Sequence, residues 1–132
     1  MNRHIESGNG WRLGWNPEAT EYCALVASDR WSLELTATEF ADFCRCTRQL
    51  SQTMQDMAEH LVDEERLSCE KETAHIWLEA EGFPNRYSLR FILSAGRRGE
   101  GEWTSEQTRE LVEALRRAPF LEIGTEATQE ES

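Results

Sequence analysis

The sequence predicts an α+β fold: one domain of two strands-then-helix units, its antiparallel sheets packed with one long and one shorter helix. Three observations carry this. Apolar residues alternate at period two through residues 11–35 and again through 74–94, which puts one face of each strand in a core. In each half the period then changes to three-and-four, directly after a Thr-led capping box, Thr36-Ala37-Thr38-Glu39 or Thr104-Ser105-Glu106-Gln107. The order is the same both times, with a Trp-bearing strand (Trp31 or Trp103) ahead of the cap. Residues 9–62 and 66–118 therefore read as pseudo-repeats, although their residue identity is slight.

Trp11, Leu13 and Trp15 alternate with Arg12 and Gly14 and give a first strand, ended by Asn16-Pro17. Both tryptophans lie on one side of it and are expected to pack on a helix. A hairpin follows about Ser28-Asp29, pairing Val26 with Trp31, Ala24 with Leu33 and Tyr22 with Leu35. That makes three strands in the first half. Phe40, Phe43, Cys44, Thr47, Leu50, Met54, Met57 and Leu61 mark one face of a long helix over about 37–62, closed by Asp63-Glu64-Glu65.

The second half opens with a strand at about 67–71. A hairpin of 74–81 and 86–94, centred on Phe83-Pro84, pairs Ala80 with Tyr87, Leu78 with Leu89, Ile76 with Phe91 and Ala74 with Leu93 on a buried face. On its other face the same register sets Glu81 opposite Arg86 and Trp77 opposite Arg90. A short strand at 101–103 precedes the second cap. Leu111, Val112 and Leu115 mark a helix over about 105–118, which Pro119 stops. Residues 121–132 have no periodicity and few apolar residues, so an acidic, disordered tail is expected beyond a folded body of 1–120.

The chain has 132 residues, enough to bury a core without metal or disulfide staples. Its net charge is −11, and without the four carboxylates of the tail the body still carries −7. That sign opposes sequence-independent nucleic-acid binding, which draws its affinity from neutralised phosphates. No apolar run approaches the ~20 residues that span a bilayer. The first ten residues are polar and form no secretory signal. A soluble cytoplasmic protein that avoids membranes is expected, with Cys23, Cys44, Cys46 and Cys69 reduced.

Several motifs carry a family resemblance. They are Gly10-Trp11-Arg12-Leu13-Gly14-Trp15, Leu33-Glu34-Leu35-Thr36 with Glu39-Phe40 and Phe43-Cys44-Arg45, and Gln49-Leu50 with Thr53-Met54. Asp63-Glu64-Glu65-Arg66 with Cys69-Glu70, and Tyr87-Ser88-Leu89-Arg90 with Glu100-Gly101-Glu102-Trp103, complete the set. Over about residues 8–120 the chain resembles a cyanobacterial family known only as domain of unknown function 1818. The resemblance implies a fold similar to the Whirly-like single-stranded-DNA-binding transcriptional regulators, with two strands-plus-helix units. Those regulators have four strands per unit, against three read here in the first half. No activity comes with the resemblance.

Candidate sites are few. Residues 83–99 hold Arg86, Arg90, Arg97 and Arg98 without an acidic residue, interleaved with Phe83, Tyr87 and Phe91. Guanidiniums along a backbone and rings that stack on bases are what a single-strand binder needs. In the register above, however, Tyr87 and Phe91 point into the core, Arg86 meets Glu81, and Arg90 meets Trp77 in a cation–π pair. Arg97 and Arg98, in the glycine-rich loop, stay free for a ligand. Trp77 and Ile92, with His75, lie on the face away from the core. They mark either a protein contact or a second core layer beneath a covering element.

The other chemistries find little support. Cys44 and Cys46 sit ~200° apart on a helix and cannot share a metal ion, and Cys44 reads as core. Asp63, Glu64, Glu65, Glu70 and Glu72 read as a solvated charge run rather than a catalytic pair. No phosphate-binding glycine loop or nucleophile elbow appears. No catalytic residue, metal or cofactor is assigned. The expected function is a non-catalytic interaction module for a protein partner or a second copy, with Trp77, Arg90, Ile92, Arg97 and Arg98 as candidate binding residues. The alternative is single-stranded nucleic-acid binding through Arg97, Arg98 and Arg90.

Overall fold

The computed structural model describes residues 3–60, 65–94 and 96–125. Two four-stranded antiparallel sheets follow one another along the chain, each succeeded by a helix. Sheet one holds β1 (His4–Gly8), β2 (Trp11–Trp15), β3 (Ala24–Ser28) and β4 (Ser32–Leu35) in sequence order, then helix α1 (Ala37–Ala58). Sheet two holds β5 (Leu67–Glu72), β6 (Ile76–Phe83), β7 (Arg86–Leu93) and β8 (Glu100–Trp103), again in sequence order, then helix α2 (Ser105–Leu115). The α+β class and the doubled strands-then-helix order are those the sequence predicts.

The first half has four strands, not three. β1 escapes period-two analysis because its inward positions are not apolar. In register with Trp15, Leu13 and Trp11 stand His4, Glu6 and Gly8. His4 meets the Phe120 ring edge-on at 5.4 Å, and Glu6 accepts from Arg117 Nη2 at 2.6 Å. The apolar residue of the strand, Ile5, lies on the outer face and is 56% exposed.

Both hairpins turn one residue later than the alternation suggests. Ala24 pairs with Leu35 and Val26 with Leu33, which leaves Tyr22 outside the sheet and Trp31 in the turn. Ile76 pairs with Leu93, Leu78 with Phe91 and Ala80 with Leu89 about a Pro84-Asn85 turn. Proline's fixed φ suits the first corner of such a turn. A slip of two residues keeps every paired side chain on its own face, so Ala24, Val26, Leu35, Ile76, Leu78, Ala80, Leu89, Phe91 and Leu93 are core as predicted, whereas Tyr22 and Ala74, expected on the buried faces, fall outside the strands and are exposed. Phe91 is fully buried and Tyr87 packs against the core edge. On the outer face the predicted neighbours change: Glu81 lies across from Ser88, and Arg90 from Glu79.

Both capping boxes form. Thr36 Oγ1 accepts from the Glu39 amide at 3.2 Å while Glu39 Oε1 accepts from the Thr36 amide at 2.9 Å. Thr104 and Gln107 repeat the arrangement at 3.2 and 2.9 Å. The Trp positions are not equivalent between halves: Trp103 directly precedes its cap, whereas Trp31 lies five residues before Thr36. α1 ends at Ala58 with Glu59 as its C-cap, short of the expected 62; Leu61, Val62 and the Asp63-Glu64 stop lie outside the described residues. α2 ends at Leu115, short of the expected 118. Phe120–Glu122 then form a 3-10 turn that buries Phe120, and Ile123 packs on the core. Of the expected tail, residues 126–132 lie outside the described residues.

The core is an aromatic seam carried by α1. Phe40 stacks on Trp15 of sheet one at 5.6 Å, and Phe43 meets Phe91 and Trp103 of sheet two at 5.4 and 5.7 Å. Trp31, in the turn between β3 and β4, contacts Trp103 at 4.8 Å. Each of these two indoles donates to a carbonyl of the other half, Trp31 Nε1 to Glu102 O at 3.3 Å and Trp103 Nε1 to Ala27 O at 2.9 Å. Trp11 and Trp15 pack on helices as expected, Trp11 Nε1 donating to Glu110 Oε1 of α2 at 2.7 Å. Arg48 of α1 donates to the carbonyls of Leu115, Phe120 and Ile123 at 3.2, 3.2 and 2.5 Å. It thereby satisfies the end of α2 and the turn beyond it, and burial pulls its pKa down.

Two stability predictions follow from these contacts. A Cβ at Gly101 would overlap the Trp31 ring, so Gly101→Ala is expected to cost about 1–3 kcal/mol in denaturant unfolding. The cost should shrink when Trp31→Ala is combined with it. Burial alone would raise the Glu6 pKa, but Arg117 and His4 hold it below the ordinary value of 4.5. A depressed carboxylate stabilises the fold above its unfolded pKa and loses that contribution as pH falls through the folded one. Stability measured from pH 6 downward should therefore fall less steeply below about pH 4.5 in Glu6→Gln than in the wild type.

Candidate functional site

Alternation along β6 and β7 that sends Ile76, Leu78, Leu89 and Phe91 inward sends Trp77, Glu79, Arg90 and Ile92 outward. Strand pairing then aligns them into rows across sheet two. One row runs Glu72, Trp77, Ile92, Glu100; the next runs Glu70, Glu79, Arg90, Glu102. The first is an apolar pair closed at both ends by a carboxylate. The second sets one guanidinium among three carboxylates. Trp77 and Ile92 are both half-buried, and both helices pack on the inner side of the sheet, where α1 meets β6 and α2 meets β7.

Arg90 lies over the Trp77 ring at 5.7 Å, the cation–π contact expected from the sequence, though on a diagonal rather than directly across. It also pairs with Glu100 at 3.5 Å. Glu81 pairs with Arg66 at 2.5 Å instead of Arg86, and Glu79 accepts from Ser68 Oγ at 2.6 Å. At the β8 edge the face opens into a cleft of about 590 Å³ whose walls include Arg30, Trp31, Arg90, Glu100 and Glu102.

Arg97 is not free, contrary to the sequence expectation. It pairs with Glu39 of the first capping box, donates to Glu34 O at 2.7 Å and lies over the Tyr22 ring at 4.7 Å. It straps the glycine-rich loop of the second half onto the start of α1. Arg98 is exposed, with no ion-pair partner among the described residues. The structure thus groups Trp77, Arg90 and Ile92 and separates them from Arg97. The carboxylates Glu79, Glu100 and Glu102 were missed as part of this face, although each sits at an outward position of its strand.

Cys44 is fully buried, and desolvation pushes its thiol up to about 12, against the smaller pull of Arg48. Cys46 is buried too, with its thiol raised by burial. Burial thus disfavours the thiolate form of both. Among the described residues no three His, Cys, Asp or Glu side chains are grouped to hold a metal ion, and no helix is long and apolar enough to cross a membrane.

The sequence profile of a domain of unknown function, DUF1818, matches residues 6–118. The chain belongs to the DUF1818 family. Among solved structures this DUF1818 chain is similar to a protein of unknown function from Prochlorococcus sp. NATL2A, described as from the DUF155 family. The two share 25% identity with a TM-score of 0.81, over 87% of this chain and 97% of that one. No curated protein matches the chain. The family membership expected from the motifs is thereby established.

The split between Arg97 and Arg98 is open to test. Arg97→Ala is expected to lower unfolding stability by about 1–2 kcal/mol, since a partly exposed guanidinium loses a carboxylate and a carbonyl. Arg98→Ala should leave the unfolding midpoint unchanged. Equal effects of the two changes would contradict the strap.

Proposed function

We propose that this DUF1818 protein is a non-catalytic interaction module that docks a basic segment of a protein partner on the outer face of sheet two. The observation that supports this is the Trp77–Ile92 pair lying across β6 and β7 inside rows of carboxylates. A half-buried indole beside an isoleucine supplies the apolar anchor common at interface centres. Glu70, Glu72, Glu79, Glu100 and Glu102 supply the complementary charge for lysines and arginines around it. A second copy of this chain would bring its own carboxylates against the same face, so charge favours a different protein over self-pairing. Cytoplasmic residence fits the four free thiols.

The second reading, a single-stranded nucleic-acid binder with a Whirly-like fold, is supported by the doubled order of four strands and then a helix. The disposition of charge weighs against it. Arg97 is engaged by Glu39, and Arg90 stands between Glu79 and Glu102 with Glu100 beside it. Phosphates approaching this face would meet more carboxylate than guanidinium.

A zero-length carbodiimide cross-linker, which joins carboxylates to lysines, tests the proposal in cytoplasm of the source cells. Cross-links from Glu72, Glu79, Glu100 or Glu102 to lysines in one stretch of one partner are expected. They should vanish in the Trp77→Ala, Ile92→Ser double variant. Absence of any cross-link from this face would end the proposal. So would a labelled single-stranded oligonucleotide that binds at low salt and is released by Arg90→Glu, which would put the second reading first.

A further inference from the structure

Away from the acidic face, the two helices and the β6–β7 turn enclose a second cleft of about 280 Å³. One stripe of α1 (Ser51, Gln55, Ala58) and one stripe of α2 (Ser105, Thr108, Arg109, Val112, Glu113, Arg116) form two walls, and residues 84–87 form the third. These are helical spacings of three and four, so each stripe is one face of its helix.

The charge here is reversed relative to the chain. The protein carries 25 acidic and 14 basic residues, yet this cleft is lined by Arg86, Arg109 and Arg116 against the single carboxylate of Glu113. The later turn of the β6–β7 hairpin is what makes this possible. It hands Glu81 to Arg66 and leaves Arg86 beside the turn, resting on the Phe83 ring at 5.6 Å. None of the three guanidiniums has an ion-pair partner among the described residues. Arg116 is held toward the cleft by its bond from Nη2 to Ser51 Oγ at 2.9 Å, and Ser51 itself is buried.

We propose that this cleft binds the phosphate group of a small sugar phosphate. Three guanidiniums lining one cleft match the charge and the several acceptor oxygens of a phosphate dianion better than those of a single carboxylate. The remaining lining is suited to hydroxyl groups: the amides of Gln55 and Asn85, the Ser105 hydroxyl and the Glu113 carboxylate. A bare anion would gain nothing from Glu113, whereas a sugar hydroxyl donates to it. The volume lies just below the range of ligand pockets, roughly 300–1,000 Å³, which suits a phosphate on a few carbons. The site is independent of the docking face on sheet two, whose arginine is Arg90.

Ribose 5-phosphate is the probe, with ribose and inorganic phosphate as comparisons, in titration calorimetry and amide NMR at low ionic strength. Saturable binding is expected, with shifts at residues 84–87 and along α2. It should be at least tenfold tighter than for inorganic phosphate, and ribose should not bind. Arg109→Glu, an exposed change that should not alter the unfolding midpoint, is expected to weaken binding at least tenfold, while Arg12→Glu leaves it unchanged. Arg86→Gln should weaken it as well, which guards against a folding defect in the first variant. No binding of ribose 5-phosphate, inorganic phosphate binding equally well, or indifference to both cleft variants would overturn the assignment.

Discussion

Phe40 and Phe43 stand three residues apart on α1, and between them they hold the molecule together. Phe40 reaches Trp15 in one sheet and Phe43 reaches Phe91 and Trp103 in the other, all five side chains being deeply buried or packed on the core. Neither sheet contacts its own helix alone. The helix that ends the first unit serves as the floor of the second, so the two units share one core. Capping at Thr36 fixes where that helix starts and therefore which sheet each ring meets. Arg97, bonded to the same Glu39 that closes the cap, ties the second unit to this starting point.

The surface chemistry follows from that core. With inward positions of β6 and β7 committed to the seam, their outward positions carry Trp77, Glu79, Arg90 and Ile92. In this acidic chain several arginines beside the sheets find carboxylates. Arg66, Arg90 and Arg97 are all engaged in this way. The arginines of α2 and of the β6–β7 turn are different because the helix faces beside them carry hydroxyls and amides instead.

Which residues face inward was legible in the sequence; which residues are neighbours was not. Period-two alternation is unchanged by a slip of two, so Leu78 and Phe91 remain core in either register while Glu81 exchanges Arg86 for Arg66. Turn chemistry at Pro84-Asn85 decides the register, and it weighs less in a pattern search than eight apolar side chains. β1 was hidden because its inward positions are His4, Glu6 and Gly8, satisfied by a ring edge and a guanidinium rather than by burial of hydrocarbon. Arg97 looked unengaged because Glu39 lies 58 positions away and comes near only once the two units have docked. The helices, by contrast, announce both start and face locally, through Thr–Glu or Thr–Gln caps and the three-and-four stripe.

The exchange of indole bonds between Trp31 and Trp103 has a consequence for how the molecule comes apart. Each half lends a donor to a backbone carbonyl of the other, at Glu102 and at Ala27. If one half opened, it would break both bonds as well as baring the aromatic surface it covered. Opening either half alone thus costs contacts of both, so the pseudo-repeats, for all their resemblance as separate modules, are expected to melt as one cooperative unit.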